Sequence, residues 1–361
     1  MQKTKMPKTD LKNMNLDMLT DFVQQMGVSA FRARQIFSWL YRPGITEFSQ
    51  MTDLSKDLRR KLDEIASISR LAPYKTETSE DGTIKYGFKL DDGAVIETVL
   101  IPEEDRNTLC VSSQVGCAMG CKFCLTGTMG LKRNLTPAEI VNQVCAAIEA
   151  GSLTGDKETT VSKNNYLNNL VFMGMGEPLA NFDNVVTALQ ILSDQRGLDY
   201  SGRRITVSTC GIIPKMKALG EKTSVNLAVS LHAANDTVRN KLMPVNKTYP
   251  IDDLFDACRH YPLPRRRLIM IEYILIKDLN DSPADARELV SRVKDIRCKI
   301  NLLPYNAVAG LDYESPDRER VEAFQKILWD AGYNTFIRTS RGGDISAACG
   351  QLAVAVGQEE E

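Results

Sequence analysis

The chain has 361 residues, of which 43% are hydrophobic and 25% are charged, and its formal net charge is −1. These are the values of an ordinary soluble globular protein, and a charge so near zero neither supports nor excludes a nucleic-acid partner. No apolar run approaches the length of about 18 residues that a transmembrane helix needs, and no apolar segment follows the polar N-terminus, so neither a membrane span nor a signal peptide is predicted. Nine cysteines without a regular framework indicate a reducing compartment. We therefore expect a cytoplasmic protein, with a monomer as the default state.

The first 70 residues predict a small helical domain. Residues 1–10 are polar and are expected to be disordered, and apolar residues then recur at helical spacing from Leu11 to Ile68. Helices are predicted over Ala30–Tyr41 and over Ser55–Ile65. The domain would have an aromatic core and a basic exterior.

Residues 71–105 predict a β extension, and residues 106–350 predict an α/β core. The extension is expected to be a hairpin, with strands at 85–90 and 95–101. In the core, strands and helices alternate, which favours a parallel sheet that is closed or partly closed into a barrel, with the functional loops beyond the C-terminal strand ends. Strands are predicted at Thr108–Ser113, Asn169–Gly174, Arg204–Ser208, Asn226–Leu231, Leu268–Ile276, Ile300–Leu303 and Thr335–Arg338. Helices are predicted at Thr136–Gly151, Phe182–Ser193, Ile251–Tyr261, Ala284–Lys294 and Arg318–Gly332, with a polar surface insertion at Ser152–Asn168 and a tail at 351–361.

The most informative segment is Cys117-Ala-Met-Gly-Cys121-Lys-Phe-Cys124. Three thiolates at this spacing are one fewer than the four that close a four-iron cluster or a structural zinc site. With nine cysteines in 361 residues, chance would produce the pattern only about 0.006 times. A zinc site or an accidental cluster of buried cysteines is the alternative, but the only histidines, His232 and His260, lie far downstream. The missing fourth ligand leaves one metal atom open to a group that is not protein.

This spacing resembles the signature of the radical S-adenosylmethionine (SAM) enzymes. The resemblance implies that Cys117, Cys121 and Cys124 bind a [4Fe–4S] cluster and that the amine and carboxylate of SAM chelate the open iron. One electron from the reduced cluster then cleaves SAM into methionine and a 5′-deoxyadenosyl radical, while the protein supplies position and shielding. Phe123 matches the aromatic residue that is usual in this loop.

A second group of candidate site residues follows the strand predicted at Asn169–Gly174. Gly176 permits close approach of the backbone to a ligand, and Glu177 can accept hydrogen bonds from an amine. A similar loop holds the amino group of SAM in radical SAM enzymes, so the resemblance assigns both residues to SAM. Residues at or just past other strand ends would face the same barrel mouth, although each could instead cap the turn that follows it. These further candidates for SAM binding are Ser208, Ser230, Leu231, His232 and Asn306.

Longer segments resemble the RlmN/Cfr-type radical SAM RNA adenine methyltransferases. The resemblance implies an α/β fold, a partial (β/α)6 radical SAM barrel with a small N-terminal helical accessory domain and a β-hairpin extension. It also implies methylation at C2 of an adenosine in the peptidyl-transferase region of 23S rRNA and of the adenosine 3′ to the anticodon in tRNA. The segments that match are residues 108–117, the cysteine loop, and residues 132–136, 172–179 and 344–352.

The resemblance gives roles to three further residues. Cys349 would take a methyl group from a first SAM by displacement. A second SAM would be cleaved, so that a hydrogen atom is removed from this methyl group and the resulting thiomethylene radical adds to adenine C2. Glu97 matches the family's general base, which removes the C2 proton. Cys110 would then attack the sulfur of Cys349, releasing the methylated base and leaving a transient disulfide.

The implied partners are 23S rRNA, tRNA and a flavodoxin-type electron donor. The domain at residues 1–70 would be an RNA-binding accessory domain, and the target base would leave its stack to reach Cys349. Clustered cations would contact phosphates, although a solvated surface role is as good an explanation for each one. The candidates are Arg32, Arg34, Arg42, Lys132, Arg133, Arg203, Arg204, Arg265, Arg266 and Arg267.

Three alternatives stay open at this point. Resistance-type relatives methylate C8 of adenine with the same motifs, and C2 is preferred only as the housekeeping reaction. A radical SAM enzyme acting on a small molecule or a protein would need neither Cys110 nor Cys349, which would then be small buried hydrophobic residues. A non-enzymatic zinc or iron–sulfur module that binds RNA would leave Gly176, Glu177 and both cysteines unexplained.

Overall fold

The structure is a computed structural model, and it describes residues 8–154, 166–308 and 310–353. Three sequence predictions extend beyond the described residues. The parts that lie outside are residues 1–7 of the lead, residues 155–165 of the surface insertion and residues 354–361 of the tail.

Three helices form the N-terminal part of the chain: α1 (Leu16–Gln25), α2 (Ala30–Leu40) and α3 (Lys56–Ile65). Each begins after a side chain that accepts a hydrogen bond from the backbone of the first turn, which satisfies one free N–H group of the helix end. The predicted helices agree with α2 and α3 to within one residue at each end. The capping residues are Asn15, Ser29 and Ser55.

The predicted disorder up to residue 10 is wrong for its last residues. Thr9 and Asp10 form a short parallel pairing with Ala66 and Ser67, next to the end of α3. Apolar side chains of the helices, such as Phe37, belong to the same buried cluster as the apolar residues of the core. The N-terminal part is therefore packed on the core by its apolar face.

The extension has three antiparallel strands rather than the two predicted: β1 (Pro73–Thr78), β2 (Ile84–Lys89) and β3 (Val95–Glu103). Strand β3 also pairs with β4 (Arg106–Cys110), the first strand of the core, along five residue pairs. Extension and core therefore share one continuous sheet. The domain limits at residues 70, 105 and 350 stay a prediction.

The core contains six β/α units and a final strand, as the family resemblance implied, but the helices Ile213–Lys222 and Asp236–Leu242 were not predicted. A short hairpin of β5 (Gln114–Cys117) and β6 (Gly130–Asn134) flanks helix α4 (Leu125–Thr128) inside the first unit, between β4 and the helix that follows it. The remaining strands are β7 (Asn169–Phe172), β8 (Ile205–Thr209), β9 (Asn226–Ser230), β10 (Ile269–Leu275), β11 (Cys298–Pro304) and β12 (Thr335–Ile337). The remaining helices are α5 (Pro137–Thr154), α6 (Phe182–Ser193), α7 (Ile213–Lys222), α8 (Asp236–Leu242), α9 (Ile251–Arg259), α10 (Pro283–Arg292) and α11 (Arg318–Asp330).

The ten-stranded sheet has the order β12-β11-β10-β9-β8-β7-β4-β3-β2-β1, and all pairs from β4 to β12 are parallel. Arg106 on β4 and Lys299 on β11 are close enough for their charges to interact. On a flat sheet these strands would lie about 24 Å apart, from five spacings of about 4.8 Å. The sheet therefore curls into a partial barrel.

The two faces of the curled sheet differ in chemistry. Tyr273 on β10 packs against Phe324 on α11, with ring centroids 5.3 Å apart, so its face is covered by helices. Glu272 alternates with Tyr273 and faces the barrel interior, beside Asn301 on β11. Polar residues thus line the interior, where a ligand can enter. None of the helices within the described residues combines the length and the apolar character that crossing a lipid bilayer requires.

Candidate active site

The cysteine loop lies between β5 and α4. Cys117 ends β5 and Cys124 is the capping residue before α4, and both are free thiols, as is Cys121 between them. The hairpin that closes the loop needs glycine at position 116, because the residue has φ +76° and an added Cβ would lie 1.9 Å from the carbonyl oxygen of Gly130. The loop is therefore held in one shape from its base.

The thiols of this loop favour a metal cluster over a single ion. Burial raises the pKa of Cys117 to about 11 and also raises the pKa values of Cys121 and Cys124, so the ionised thiolates need a bound cation. Within the described residues, no three Cys, His, Asp or Glu side chains converge as a single-ion site. A four-iron cluster is several atoms wide and holds its thiolates farther apart than one ion does. Three thiols from one loop fit a cluster with one open iron.

Gly176 and Glu177 lie beside the cysteine loop, after β7. Gly176 has φ +99°, and an added Cβ would lie 2.8 Å from the backbone nitrogen of Gln114. The buried Glu177 accepts backbone hydrogen bonds from Leu179 (2.9 Å) and Cys210 (2.8 Å), one on each oxygen. Each carboxylate oxygen keeps a second lone pair, so the predicted contact with an amine is compatible with these bonds.

The other predicted SAM residues lie at the carboxyl ends of the strands or just beyond them. Ser208 is on β8, Ser230 is the last residue of β9, and Leu231 and His232 follow it. Leu231 is fully buried in the apolar core, so only its backbone can face a ligand. Asn306 follows β11 and donates to the carbonyl of Cys349 at 3.2 Å.

His232 is a neutral hydrogen-bond donor. Its Nδ1 accepts a bond from the backbone of Ile274 at 3.0 Å, and burial lowers its pKa to about 3, so the proton of the neutral ring is on Nε2. Its ring packs edge-on against Phe123 of the cysteine loop, with centroids 4.8 Å apart. His232 therefore connects the strand end to that loop.

Glu97, Cys110 and Cys349 lie together, although they are far apart in the sequence. Cys110 on β4 pairs with Val99, and Glu97 shares the face of Val99 on β3, so Glu97 and Cys110 are diagonal neighbours. Burial and the neighbouring charge of Cys349 raise the pKa of Cys110 to about 12, whereas the side chain of Cys349 is exposed.

The loop that carries Cys349 is bound to two other parts of the chain. Helix α4 holds it on one side, since Leu125 donates to the carbonyl of Gly350 at 2.8 Å and Thr126 to that of Leu352 at 2.5 Å. The β extension holds it on the other side, where Lys85 donates to the carbonyl of Ile345 at 2.6 Å. Cys349 is thus placed between the cysteine loop and the strand of Glu97.

The predicted RNA-binding cations do not form one surface. Arg133 is engaged within the protein, in ion pairs with Asp92 (2.7 Å) and Glu139 (2.8 Å). Arg267 donates to the carbonyls of Gly202 and Ser224. Its neighbours Arg203, Arg204, Arg265 and Arg266 are exposed but precede β8 and β10, so they lie at the opposite end of the barrel from the cysteine loop. Lys132, Arg34 and Arg42 are exposed, and Arg32 is half-buried.

Sequence reasoning missed several residues of the site. Lys85 contacts Glu97, Ser112 donates to the carbonyl of Glu97 at 2.5 Å, and Arg239 binds the carbonyls of three strand-end residues. Glu272 is buried, and burial raises its pKa to about 7. The only available signal was alternation along β2 and β10, which places Lys85 and Glu272 on the inner faces of their strands.

Two family profiles match the chain. Residues 9–68 match the ribosomal RNA large subunit methyltransferase N-terminal domain, and residues 111–290 match the radical SAM superfamily. Enzymes of the radical SAM superfamily use a [4Fe–4S] cluster and SAM, in agreement with the donor set of the cysteine loop.

Full-length relatives give the same result. The dual-specificity RNA methyltransferase RlmN of Desulfotalea psychrophila is 55% identical over 97% of this chain and 96% of its own, and that of Geobacter sulfurreducens is 54% identical over 95% and 91%. The crystal structure of a radical SAM methyltransferase from Sphaerobacter thermophilus superimposes with a TM-score of 0.85 at 43% identity, covering 96% of this chain and 99% of that one. The chain belongs to the RlmN family of radical SAM RNA methyltransferases.

Proposed function

We propose that the protein methylates C2 of an adenosine in the peptidyl-transferase region of 23S rRNA and of the adenosine 3′ to the anticodon in tRNA. The observation that carries this proposal is the placement of Glu97, Cys110 and Cys349 together beside the cysteine loop. A radical SAM enzyme with another substrate has no need of two thiols and a carboxylate at this place. Relatives named as dual-specificity RNA methyltransferases support the same substrate class.

In this proposal Cys117, Cys121 and Cys124 hold the cluster. Gly176, Glu177, Ser208, the Ser230–His232 segment and Asn306 surround SAM. When bound, the cluster and SAM supply a radical that removes one hydrogen atom from a methyl group. The neutral His232 donates from Nε2, and Glu177 accepts from an amine, so the two side chains suit different ends of an amino-acid group.

Cys349 is proposed to accept the methyl group and to deliver it. Its thiol first loses its proton, and the thiolate attacks the methyl carbon of one SAM, which displaces S-adenosylhomocysteine and leaves S-methylcysteine. A hydrogen atom is then removed from this methyl group at the expense of a second SAM, so that two SAM molecules are used in each turnover. The methylene radical on Cys349 forms a carbon–carbon bond to adenine C2, which is electrophilic.

Glu97 and Cys110 are proposed to complete the reaction. The adduct must also lose one electron, and the cluster held by Cys117, Cys121 and Cys124 would be its acceptor. Glu97 takes the C2 proton, which restores the aromatic ring. The thiolate of Cys110 attacks the sulfur of Cys349, the bond between that sulfur and the methylene carbon breaks, and the carbon takes up a proton to become the new methyl group. The product is the methylated base and a Cys110–Cys349 disulfide, which an external thiol reduces.

The RNA would bind in part on the N-terminal helical domain. Phe31 on α2 is 57% exposed, and together with Arg34, Arg42 and Arg196 it lines a cavity of about 290 Å³. Arg42 stacks on Trp39 with its guanidinium carbon 3.9 Å from the ring centroid. Aromatic platforms with neighbouring cations are typical of sites for unpaired RNA. We further propose a flavodoxin-type electron donor, a monomeric state and a cytoplasmic location.

The first test is anaerobic turnover with SAM that carries a trideuterated methyl group and with unmodified 23S rRNA or tRNA. Mass spectrometry of the nucleosides should find 2-methyladenosine that keeps two of the three deuterons, because one is removed from methyl-Cys349. Retention of all three would indicate polar transfer and contradict the mechanism. Formation of 8-methyladenosine instead would support the resistance-type reaction and contradict the C2 assignment.

A further inference from the structure

Arg239 on α8 is a buried cation at the carboxyl ends of the central strands. Its side chain is fully buried, and its guanidinium group donates to three backbone carbonyls and one side chain. The carboxylate of Asp236 is linked to Arg239 only through Asn246, which accepts from Arg239 and whose Nδ2 donates to Asp236 at 2.6 Å. Burial of a cation without a direct carboxylate partner is costly, so the carbonyl dipoles must stabilise it. The acceptors are Leu231 O (3.1 Å), Ser230 O (3.2 Å), Cys210 O (2.7 Å) and Asn246 Oδ1 (2.7 Å).

The three carbonyls belong to loops that are proposed to surround SAM. Ser230 and Leu231 are themselves proposed SAM contacts. The peptide group of Cys210 lies between Arg239 and Glu177, because its N–H donates to the Glu177 carboxylate at 2.8 Å while the carbonyl of the same residue accepts from Arg239. Arg239 therefore fixes the ends of β8 and β9 and, through Cys210, the loop after β7.

Helix α8 also contacts the cysteine loop. The carbonyl of Leu242, at the end of α8, accepts a hydrogen bond from the backbone of Lys122 at 2.9 Å. The guanidinium of Arg239 is close enough to the thiol of Cys121 for their charges to interact. One short helix thus touches the loop that would hold the cluster and, through Arg239, the loops that would hold SAM.

We propose that Arg239 is a positioning residue that fixes the SAM-binding loops relative to the cysteine loop. It acts through backbone carbonyls and not through a contact with the reacting atoms. The planar, forked guanidinium can donate to several acceptors at fixed angles, which a lysine ammonium cannot reproduce. The proposal rests on the SAM-binding role of these loops under the proposed function.

The test compares Arg239→Met and Arg239→Lys with Arg267→Met in the cluster-loaded, full-length protein without RNA. Arg267 is the control because its guanidinium also binds two backbone carbonyls, those of Gly202 and Ser224, which precede β8 and β9 at the opposite end of the barrel. The measurements are the SAM dissociation constant, the change that SAM causes in the electron paramagnetic resonance spectrum of the reduced cluster, and the iron content.

Arg239→Met should weaken SAM binding about tenfold to hundredfold, the range found when a residue that orients the ligands of a metal site is removed. The change in the spectrum should shrink in parallel. The SAM dissociation constant of Arg239→Lys should lie between those of Arg239→Met and the wild type. Arg267→Met should keep the wild-type dissociation constant and spectrum.

The proposal is wrong if Arg239→Met binds SAM within about twofold of the wild type, or if the Arg267 variant loses as much affinity. If Arg239→Met does not fold or does not load iron, Arg239→Lys becomes the test, because it keeps the buried charge. Wild-type affinity for SAM in Arg239→Lys would then overturn the proposal. If the wild-type spectrum does not respond to SAM at all, the proposed function fails instead.

Discussion

Lys85 and Glu97 form a buried ion pair across two neighbouring antiparallel strands, with Lys85 Nζ 3.5 Å from Glu97 Oε1. The same ammonium group donates to the carbonyl of Ile345, so it joins the proposed base to the loop that carries Cys349. Burial raises the pKa of Glu97, and Lys85 opposes this rise. A carboxyl group with a raised pKa is suited to accept a proton near neutral pH.

Replacing Lys85 with Met should shift the pH dependence of the reaction. Without the ammonium group the pKa of Glu97 rises further, and because only the ionised carboxylate accepts a proton, the acidic limb of the rate should move to higher pH. Single-turnover formation of methyladenosine, followed against pH, measures this shift. Lys326→Met is the control, since Lys326 forms an exposed ion pair with Asp330 on α11, away from Glu97. An unmoved limb in Lys85→Met would remove Glu97 from the proton transfer.

Replacing Cys110 with Ala should trap the enzyme on its RNA. In the proposed mechanism the adduct forms through Cys349 alone, but its release needs the thiol of Cys110, so most of the product should stay linked to protein. Denaturing gels with labelled RNA detect the linked species. Cys258→Ala, a buried cysteine on α9, should release product normally. Normal release by the Cys110 variant would exclude the proposed disulfide step.

Replacing Cys121 with Ala should abolish the cluster. The two cysteines that remain, Cys117 and Cys124, are buried and their pKa values are raised. Metal ligands must be thiolates, so these two cannot hold the cluster without the third cysteine. Iron content and visible absorbance should fall to background, and SAM cleavage should disappear with them. Cys298→Ala, on β11, should keep the iron content, the absorbance and SAM cleavage. SAM cleavage by the Cys121 variant would refute the ligand assignment.

Replacing Glu272 with Gln should stabilise the protein at alkaline pH. Burial raises the pKa of Glu272 from 4.5 to about 7, so its protonated form stabilises the fold below pH 4.5 and this contribution is lost as the pH rises through 7. The bond from Asn301 and the charges of Arg338 and Lys299 lower the pKa but do not cancel the burial effect. The free energy of unfolding of Glu272→Gln should exceed that of the wild type by about 3 kcal/mol at pH 8 and should equal it at pH 4.

Urea denaturation of both proteins at the two pH values checks this prediction, because the midpoint reports the free energy of unfolding at unchanged slope. Glutamine keeps the acceptor oxygen for Asn301, so loss of that bond does not confuse the comparison. An equal effect at pH 4 and pH 8 would show that Glu272 does not titrate in this range.

Reversing charge at the N-terminal cavity should weaken RNA binding. Arg34→Glu and Arg196→Glu should each lower RNA affinity and reduce the slope of log affinity against log salt by about 1, because each removes a phosphate contact. Phe31→Ala should lower affinity without changing the slope, since stacking is not ionic. Filter binding with tRNA measures both quantities. Arg287→Glu, an exposed position on α10, is the control, and equal effects there would exclude a specific surface.

The sequence was sufficient to predict the parts of the fold that follow from local patterns. Buried parallel strands produce apolar runs, so all seven core strands could be recognised, together with five of the helices between them. Helices α7 and α8 were missed, and the six-unit barrel was implied by the family resemblance. Strand β1 was missed because it lies at the edge of the sheet and its residues Lys75, Thr76 and Thr78 are polar and exposed. Without a buried face, an edge strand lacks the pattern that reveals an inner one.

Charged residues were the hardest to interpret from the sequence. Arg133 was expected to contact RNA, but it pairs with Asp92, 41 residues away in the chain. Arg239 resembles any surface arginine of an amphipathic helix, although it is fully buried. The partner of a charge is fixed by the fold and not by its neighbours in sequence, so only cysteine spacing and glycine loops identified the site directly.

The loop of Cys349 follows the whole barrel in the chain, and α4, which follows Cys124, holds it through Leu125 and Thr126. During synthesis from the N-terminus, the strands and the cysteine loop therefore exist before the methyl acceptor does. A chain cut after β12 would keep the proposed machinery for generating a radical but lack the thiol that gives the radical its target. In the proposed mechanism such a chain would consume SAM without modifying RNA, so the last segment would couple radical formation to methyl transfer.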